Sequence, residues 1–438
     1  MSAPLAAAAL AAALAAPAAA PTAPPATPRT AVVDVGGAKG YVRADRGVSL
    51  AGVGLLVRAG LDRQTTAQNG LAALVAQAVL QTPVAPASGP GPAVALTDAV
   101  ESAGASVGFA VSTQHVRFYL EGTPPALARA GPLLARAFAA PSFDPATLAA
   151  ARAALAERIS ESDDDTALVG LQMLRSTYYR GGAGFPSLGD PSATVAYAPA
   201  DARAFFERWY LRGDAVVTEV GRTGPETDAA GRALVAALHA GSAPGEELTA
   251  RAPAASPKRI VTQRPIGATF VVLGFAAPPL GDRDFPAALV IRALLEDVFE
   301  RTAATTPPAV FRRVGTIYGY DAAPAQLSIW MNGALIDPAT GLAAIEVLSK
   351  GTAAKPLNAA TLARYKDTAH GAWVLETISL DQRAFAIGNA VAHGLDPDAN
   401  DAVGEAIRRV TAADVQRVAK KYFQRFDVAL IVPREGGS

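Results

Sequence analysis

Apolar residues alternate with polar or small ones at 53–57, 107–119, 216–220, 270–275, 326–331 and 428–432. A period of two sends successive side chains to opposite faces, so these stretches predict β-strands, several joined by simple turns and hence antiparallel. Ala-rich stretches at 125–139, 145–161 and 359–375 predict helices. The second of these opens with Asp144 before Pro145, an N-cap followed by proline at the first helical position. Residues 70–80, GLAALVAQAVL, predict another helix, one with no side chain suited to chemistry.

The pattern then repeats. GVGLLVRAGLDRQ, from Gly52, is followed by the helix at 71–80, and ATFVVLGFAAPPLGDRDF, from Ala268, by a predicted helix at 287–299. APADARAFFERWYLRGDAVVTEVG, from Ala198, parallels TAADVQRVAKKYFQRFDVALIVP, from Thr411, setting Asp201 with Asp414, Trp209 with Tyr422 and Asp214 with Asp427. A nearly constant spacing between such pairs predicts a duplicated domain. Residues 240–257 between the halves lack periodicity and are rich in Pro, Gly and Ser, which predicts a linker. The expected organisation is a leader at 1–28, an N-terminal domain at 29–239, the linker, and a C-terminal domain at 258–438. Each domain is expected to be α+β, a mainly antiparallel sheet with helices packed on one side.

Composition narrows the chemistry. Lys and Arg number 39 against 39 Asp and Glu, so no net field steers the chain toward nucleic acid or an anionic membrane. The absence of cysteine removes disulfides, thiolate nucleophiles and Cys-based zinc sites. The opening MSAPLAAAALAAALAAPAAA ends in small residues suited to signal-peptidase cleavage and predicts a periplasmic or secreted protein, although it lacks a basic start. It is too short and too rich in Ala and Pro for a stable membrane span. His115, His239, His370 and His393 are scattered without ligand spacing and read as surface or capping groups. The acidic run at 161–165 lacks the glycine and terminal glutamate of a calcium loop and reads as a solvated helix end.

Taken in order, these elements resemble the insulinase (pitrilysin) family of zinc peptidases, in the short two-domain form of mitochondrial processing peptidase subunits and bacterial relatives. The likeness is carried by the helix at 70–80, by GASVGFAVSTQHVRFYLEG from Gly104, by PSFDPATLAAARAALAERISE from Pro141 and by STYYRGGAGFPSLGDPSATVAYAPADARAFFERWY from Ser176. In active relatives the helix supplies two histidines one turn apart for zinc and a glutamate for the metal-bound water. The resemblance lays the histidines on Ala73 and Gln77, the glutamate on Ala76 and the third ligand near Arg158, with Glu157 and Glu161 beside it. The zinc site is therefore expected to be lost, with Ala73, Ala76 and Gln77 facing the peptide chamber and no metal between them. Gly108 and Phe109 stand where the family has Asn-Ala on the substrate-side strand.

In the C-terminal half, VFRRVGTIY at 310–318 is similar to the family's Leu-Arg-x-x-x-Gly-Leu-x-Tyr element. The resemblance implies that Arg312 and Tyr318 hold the substrate backbone and the oxyanion, with Arg313 the alternative arginine. It further implies a non-catalytic subunit with no cofactor of its own. Such a subunit forms a heterodimer with a homologous zinc-bearing subunit, around a peptide or unfolded-protein substrate, and supports catalysis in trans. The alternative is a scaffold or binding protein of the same fold with no proteolytic role.

Overall fold

The computed structural model describes residues 29–87, 89, 91–243, 258–305, 313–320, 324–333, 351 and 355–434, so most of the expected linker and Arg312 lie outside the described residues. The first sheet begins with β1 (Ala31–Val35), β2 (Ala38–Ala44) and β3 (Ala51–Val57). Helix α1 (Leu71–Gln81), the short pair β4 (Pro83–Val84) and β5 (Val94–Ala95), and α2 (Leu96–Ser102) lead to β6 (Ala105–Val111) and β7 (Val116–Gly122). Five helices follow: α3 (Pro124–Ala139), α4 (Pro145–Asp164), α5 (Thr166–Tyr178), the single turn α6 (Pro191–Thr194) and α7 (Pro199–Trp209). Strand β8 (Val216–Gly221) and helix α8 (Pro225–Ala236) come last.

The second sheet takes β9 (Arg259–Arg264), β10 (Thr269–Ala277) and, after α9 (Phe285–Thr305), β11 (Arg313–Gly319) and β12 (Ala325–Gly333). Helices α10 (Ala359–Leu375), α11 (Leu380–Ala392), α12 (Ala399–Arg409) and α13 (Ala412–Tyr422) precede β13 (Asp427–Pro433). Strand order is β1-β2-β8-β3-β7-β6 in the first sheet and β11-β12-β10-β13-β9 in the second. Read from opposite ends, β2-β8-β3-β7-β6 and β9-β13-β10-β12-β11 coincide. The β2–β8 and β9–β13 pairs are parallel, and their neighbours are antiparallel. The duplication read in the sequence is thus present in the topology.

Each sheet buries one face under helices of its own half. Leu74, Leu134, Leu148 and Phe206 meet Leu55 and Phe118 in the first core, and Phe285, Ile291, Trp373 and Phe423 meet Phe275 and Leu430 in the second. The other faces carry a helix from the opposite half: α5 crosses β10 and β13, and α11 crosses β3 and β8. This exchange adds a second layer to the expected one-sided packing. It also explains why all seven residues of β3 are buried, since a strand covered on both faces has no solvent side for polar residues. Both exchanged helices rest on glycine. A Cβ at Gly170 would come within 2.3 Å of the Val272 side chain, and one at Gly388 within 2.8 Å of Leu56.

The run at 107–119 is two strands rather than one, because the chain turns at Ser112, whose N–H donates to the His115 carbonyl at 2.8 Å. His115 is buried, contrary to its expected place at the surface or a cap. Helix α11 covers the hairpin tip and brings the His393 ring centroid to 6.1 Å from that of His115. His393 does cap, its Nδ1 lying 2.8 Å from the Asn389 carbonyl. The acidic run ends α4 and starts α5, where the Asp165 carboxylate accepts from the N–H groups of Ala167 and Leu168. Ion pairs join the halves: Arg43 with Asp401 at 2.7 Å, Arg117 with Asp381 at 2.9 Å, and Arg383 with Asp45 at 3.3 Å.

Candidate functional site

Helix α1 starts at a point of close backbone contact. Gly70 caps it at φ 88°, a left-handed conformation suited to glycine, and Gly189 approaches so closely that a Cβ there would lie 2.1 Å from the Gly70 Cα. The Gln64 side chain accepts from the Ala72 N–H at 3.0 Å, and the Tyr197 hydroxyl donates to the Asn69 carbonyl at 2.9 Å. The helix then packs against α4 and α7. Ala73 and Ala76 are completely buried and Gln77 nearly so, and none of the three lines the cleft between the halves or the groove beside β9. The expectation that they face an open chamber is therefore corrected: all three are enclosed in the interior of the first half.

Arg158 of α4, expected near the place of the third ligand, lies 4.5 Å from the Phe109 ring centroid on edge strand β6. A cation stacked on an aromatic face thus occupies that position, and burial pulls its guanidinium below the ordinary arginine value. Among the described residues, no group of three or more His, Asp or Glu side chains could hold a metal ion.

The principal cleft lies between the halves. It has a volume of about 850 Å³ and runs between α5 with the loop that follows it and strands β11 and β12. Leu168, Gln172, Phe185 and Leu188 line one wall, and Ile317 and Gln326 the other. Gln172 and Arg175 are committed to shaping the loop, donating at 2.9 Å to the carbonyls of Gly184 and Ala183. Tyr178 and Tyr179 pin α5 to the second sheet, donating to the carbonyls of Ala325 and Pro324 at 2.9 and 2.8 Å. Their bridging role went unread in the sequence, where the only signal was two adjacent tyrosines ending an apolar helix.

The second-half candidates separate. Ile317 and Gly319 line the cleft, so alternation turns Tyr318 to the opposite face of β11, into the core. There its ring lies 5.2 Å from that of Phe285 and its hydroxyl donates to the Pro278 carbonyl. Burial, followed by the nearby Tyr422, pushes that hydroxyl well above the ordinary tyrosine value. Arg313 is exposed and shares the face of Ile317. Arg312 lies outside the described residues.

Residues 42–192 match the model of the insulinase family (Peptidase family M16). No curated protein matches the chain. The fold is similar to that of a peptidase M16 inactive domain from Pseudomonas fluorescens, with a TM-score of 0.78 and 16% identity over 93% of this chain and 99% of that one. It is also similar to a protease from Helicobacter pylori, with a TM-score of 0.80 and 13% identity over 93% of this chain and 100% of that one. At such identities these two likenesses speak for the fold. Residues 42–192 are thus similar to the insulinase (M16) family, and the chain as a whole carries the two-sheet fold of these two structures.

Proposed function

We propose that this chain is a non-catalytic, peptide-binding subunit of an insulinase-family metalloprotease, exported to the periplasm or beyond and paired there with a zinc-bearing homologue. The observation that supports this most is α1, whose Ala73, Ala76 and Gln77 carry no histidine or carboxylate and lie buried while an open cleft remains between the halves. Strand β11 ends its sheet among the described residues, so an extended peptide can add to it along the cleft wall. The partner supplies the zinc and its activated water. Arg312 donates to the peptide backbone in trans, and Tyr318 supports the oxyanion, which requires its side chain to leave the core and its hydrogen bond to Pro278.

The test is co-expression with a zinc-bearing homologue and assay of the purified pair. The pair is expected to cleave peptides when neither chain alone does. Arg312→Ala and Tyr318→Phe are each expected to lower kcat about tenfold or more while the heterodimer persists. Full activity in both variants removes the Arg/Tyr role, and failure to form a heterodimer removes the pairing. The hydrogen bond from Tyr318 to Pro278 favours a second reading, a scaffold of the same fold. That reading predicts a stable monomer or homodimer that adds no activity to any homologue.

A further inference from the structure

We propose that the outer edge of β9, at the end of the sheet opposite β11, docks an extended, acidic segment of a partner polypeptide; Val169 and Met173 of α5 line both the groove there and the cleft beside β11. The molecule's own duplication shows what such an edge accepts. The counterpart of β9 in the first sheet is β2, whose outer side is covered by antiparallel β1, in register from Ala31 opposite Val42 to Val35 opposite Ala38. In the second sheet β9 stands last, and no strand among the described residues pairs with its outer side.

The direction of the main-chain groups follows from the pairing with β13. The carbonyls of Lys258 and Arg264 accept from the N–H groups of Val428 and Arg434, and so point inward. In a parallel pair alternate residues address opposite neighbours. The N–H and C=O groups of Arg259, Val261 and Gln263 therefore point away from β13. The same three residues are the exposed ones of the strand, and Val261 is 53% exposed. A row of unpaired main-chain groups is a template for strand addition. A groove of about 520 Å³ follows β9 and is walled by Val169 and Met173 of α5, so an added strand gains apolar contact as well as hydrogen bonds.

Charge selects the occupant. Lys258, Arg259 and Arg264 belong to β9 and its start, and Arg434, just beyond β13, meets its far end. Among the described residues, the acids in contact with them are Asp163, 4.0 Å from Arg264, and Asp427, which accepts from the Lys258 N–H. A second copy laid antiparallel brings the Arg259 end of one strand to the Arg264 end of the other, and like charges across a strand pair are destabilising. An extended segment with carboxylates at its ends meets the surplus of cations instead.

A labelled probe peptide of alternating Val and Thr with Glu at both ends tests this by fluorescence anisotropy, alongside its counterpart with Lys at both ends. The acidic probe is expected to bind saturably, more weakly as salt rises, and to slow hydrogen exchange at the Val261 and Gln263 amides. Val261→Pro deletes an outward N–H and spares the ladder to β13, and Arg259→Glu reverses an exposed charge. Each is expected to weaken the probe by about tenfold or more, roughly 1.4 kcal/mol. Equal binding of the Lys-ended probe, no binding of either probe, or unchanged affinity in both variants overturns the proposal. So does slow exchange at those amides without probe: if independent of protein concentration, the chain covers its own edge, and if growing with it, a second copy does. None of these readouts depends on a zinc-bearing partner, so the proposal can fail without touching the function proposed above.

Discussion

The two halves follow one backbone plan and differ in what covers it. After its first central strand the N-terminal half has α1, 11 residues long and buried except at its last residue, whereas the C-terminal half has the 21-residue α9. The first half ends with α8 packed over β3 and β8, and no helix follows β13 among the described residues. Buried charge differs accordingly. Glu219 on β8 points at α8, where the Thr227 hydroxyl donates to one carboxylate oxygen at 2.9 Å and the other has no partner. Burial pushes Glu219 up to about 7, against the opposing pull of Thr227. Asp284 in the second half is likewise inaccessible, and burial pushes it upward, but hydrogen bonds from Arg417 and Lys421 outweigh that and hold it below the ordinary carboxylate value. Duplication copied the strand order, and each copy's side chains were then fitted to a different cover.

The largest expected break comes from giving the first half the metal helix of the insulinase family. Ala73→His, Ala76→Glu and Gln77→His together are expected to cost several kcal/mol, roughly 5 or more, because large polar groups enter closed sites. Metal analysis is expected to find no stoichiometric zinc, since Arg158 stands near the expected third position. Zinc bound one to one without loss of stability would show that α1 retains an accessible face.

The exchanged helices come next. Gly170→Leu and Gly388→Leu each force a side chain into a central strand and are expected to cost about 3 kcal/mol in urea unfolding. Matching losses make the two exchanges equivalent. A loss confined to one makes the exchange essential in one direction alone.

Glu219→Gln sharpens the contrast in buried charge. A carboxyl with a raised folded-state pKa binds its proton more tightly in the native than in the unfolded protein. Its stability contribution is full below the unfolded value near 4.5 and is lost as pH rises through about 7. The glutamine variant is therefore expected to exceed the parent by up to roughly 3 kcal/mol above about pH 8, with the gap closing toward about pH 4, as followed by Tm. The smallest effect is at the joint between halves. Arg43→Ala removes the pair with Asp401 and is expected to cost less than about 1 kcal/mol, fading at high salt.

Much of the fold could be read directly from the residues. Asp144 caps α4 as its position before Pro145 predicts, with its carboxylate accepting from the Thr147 N–H at 2.8 Å. The Asp201–Asp414 and Trp209–Tyr422 correspondences lie on α7 and α13, which hold equivalent places before β8 and β13. These features are local, set by side-chain period, capping chemistry and residue type within a few positions of one another.

The candidate site was less legible, because burial and direction depend on partners far away in the chain. That Tyr318 turns into the core while Ile317 meets the cleft follows from which face of β11 the helices of its half cover. That β3 is buried on both sides, and that His115 is enclosed, follow from α11 crossing over from the other half. That no strand among the described residues pairs with the outer side of β9 has no mark in RIVTQR itself and appears only beside the covered edge of β2. Residue identity and local period decided which elements form and where their caps lie. Long-range packing decided which groups are sealed, which are exposed and which edge is left unpaired, because a face becomes interior only when a distant element lies on it.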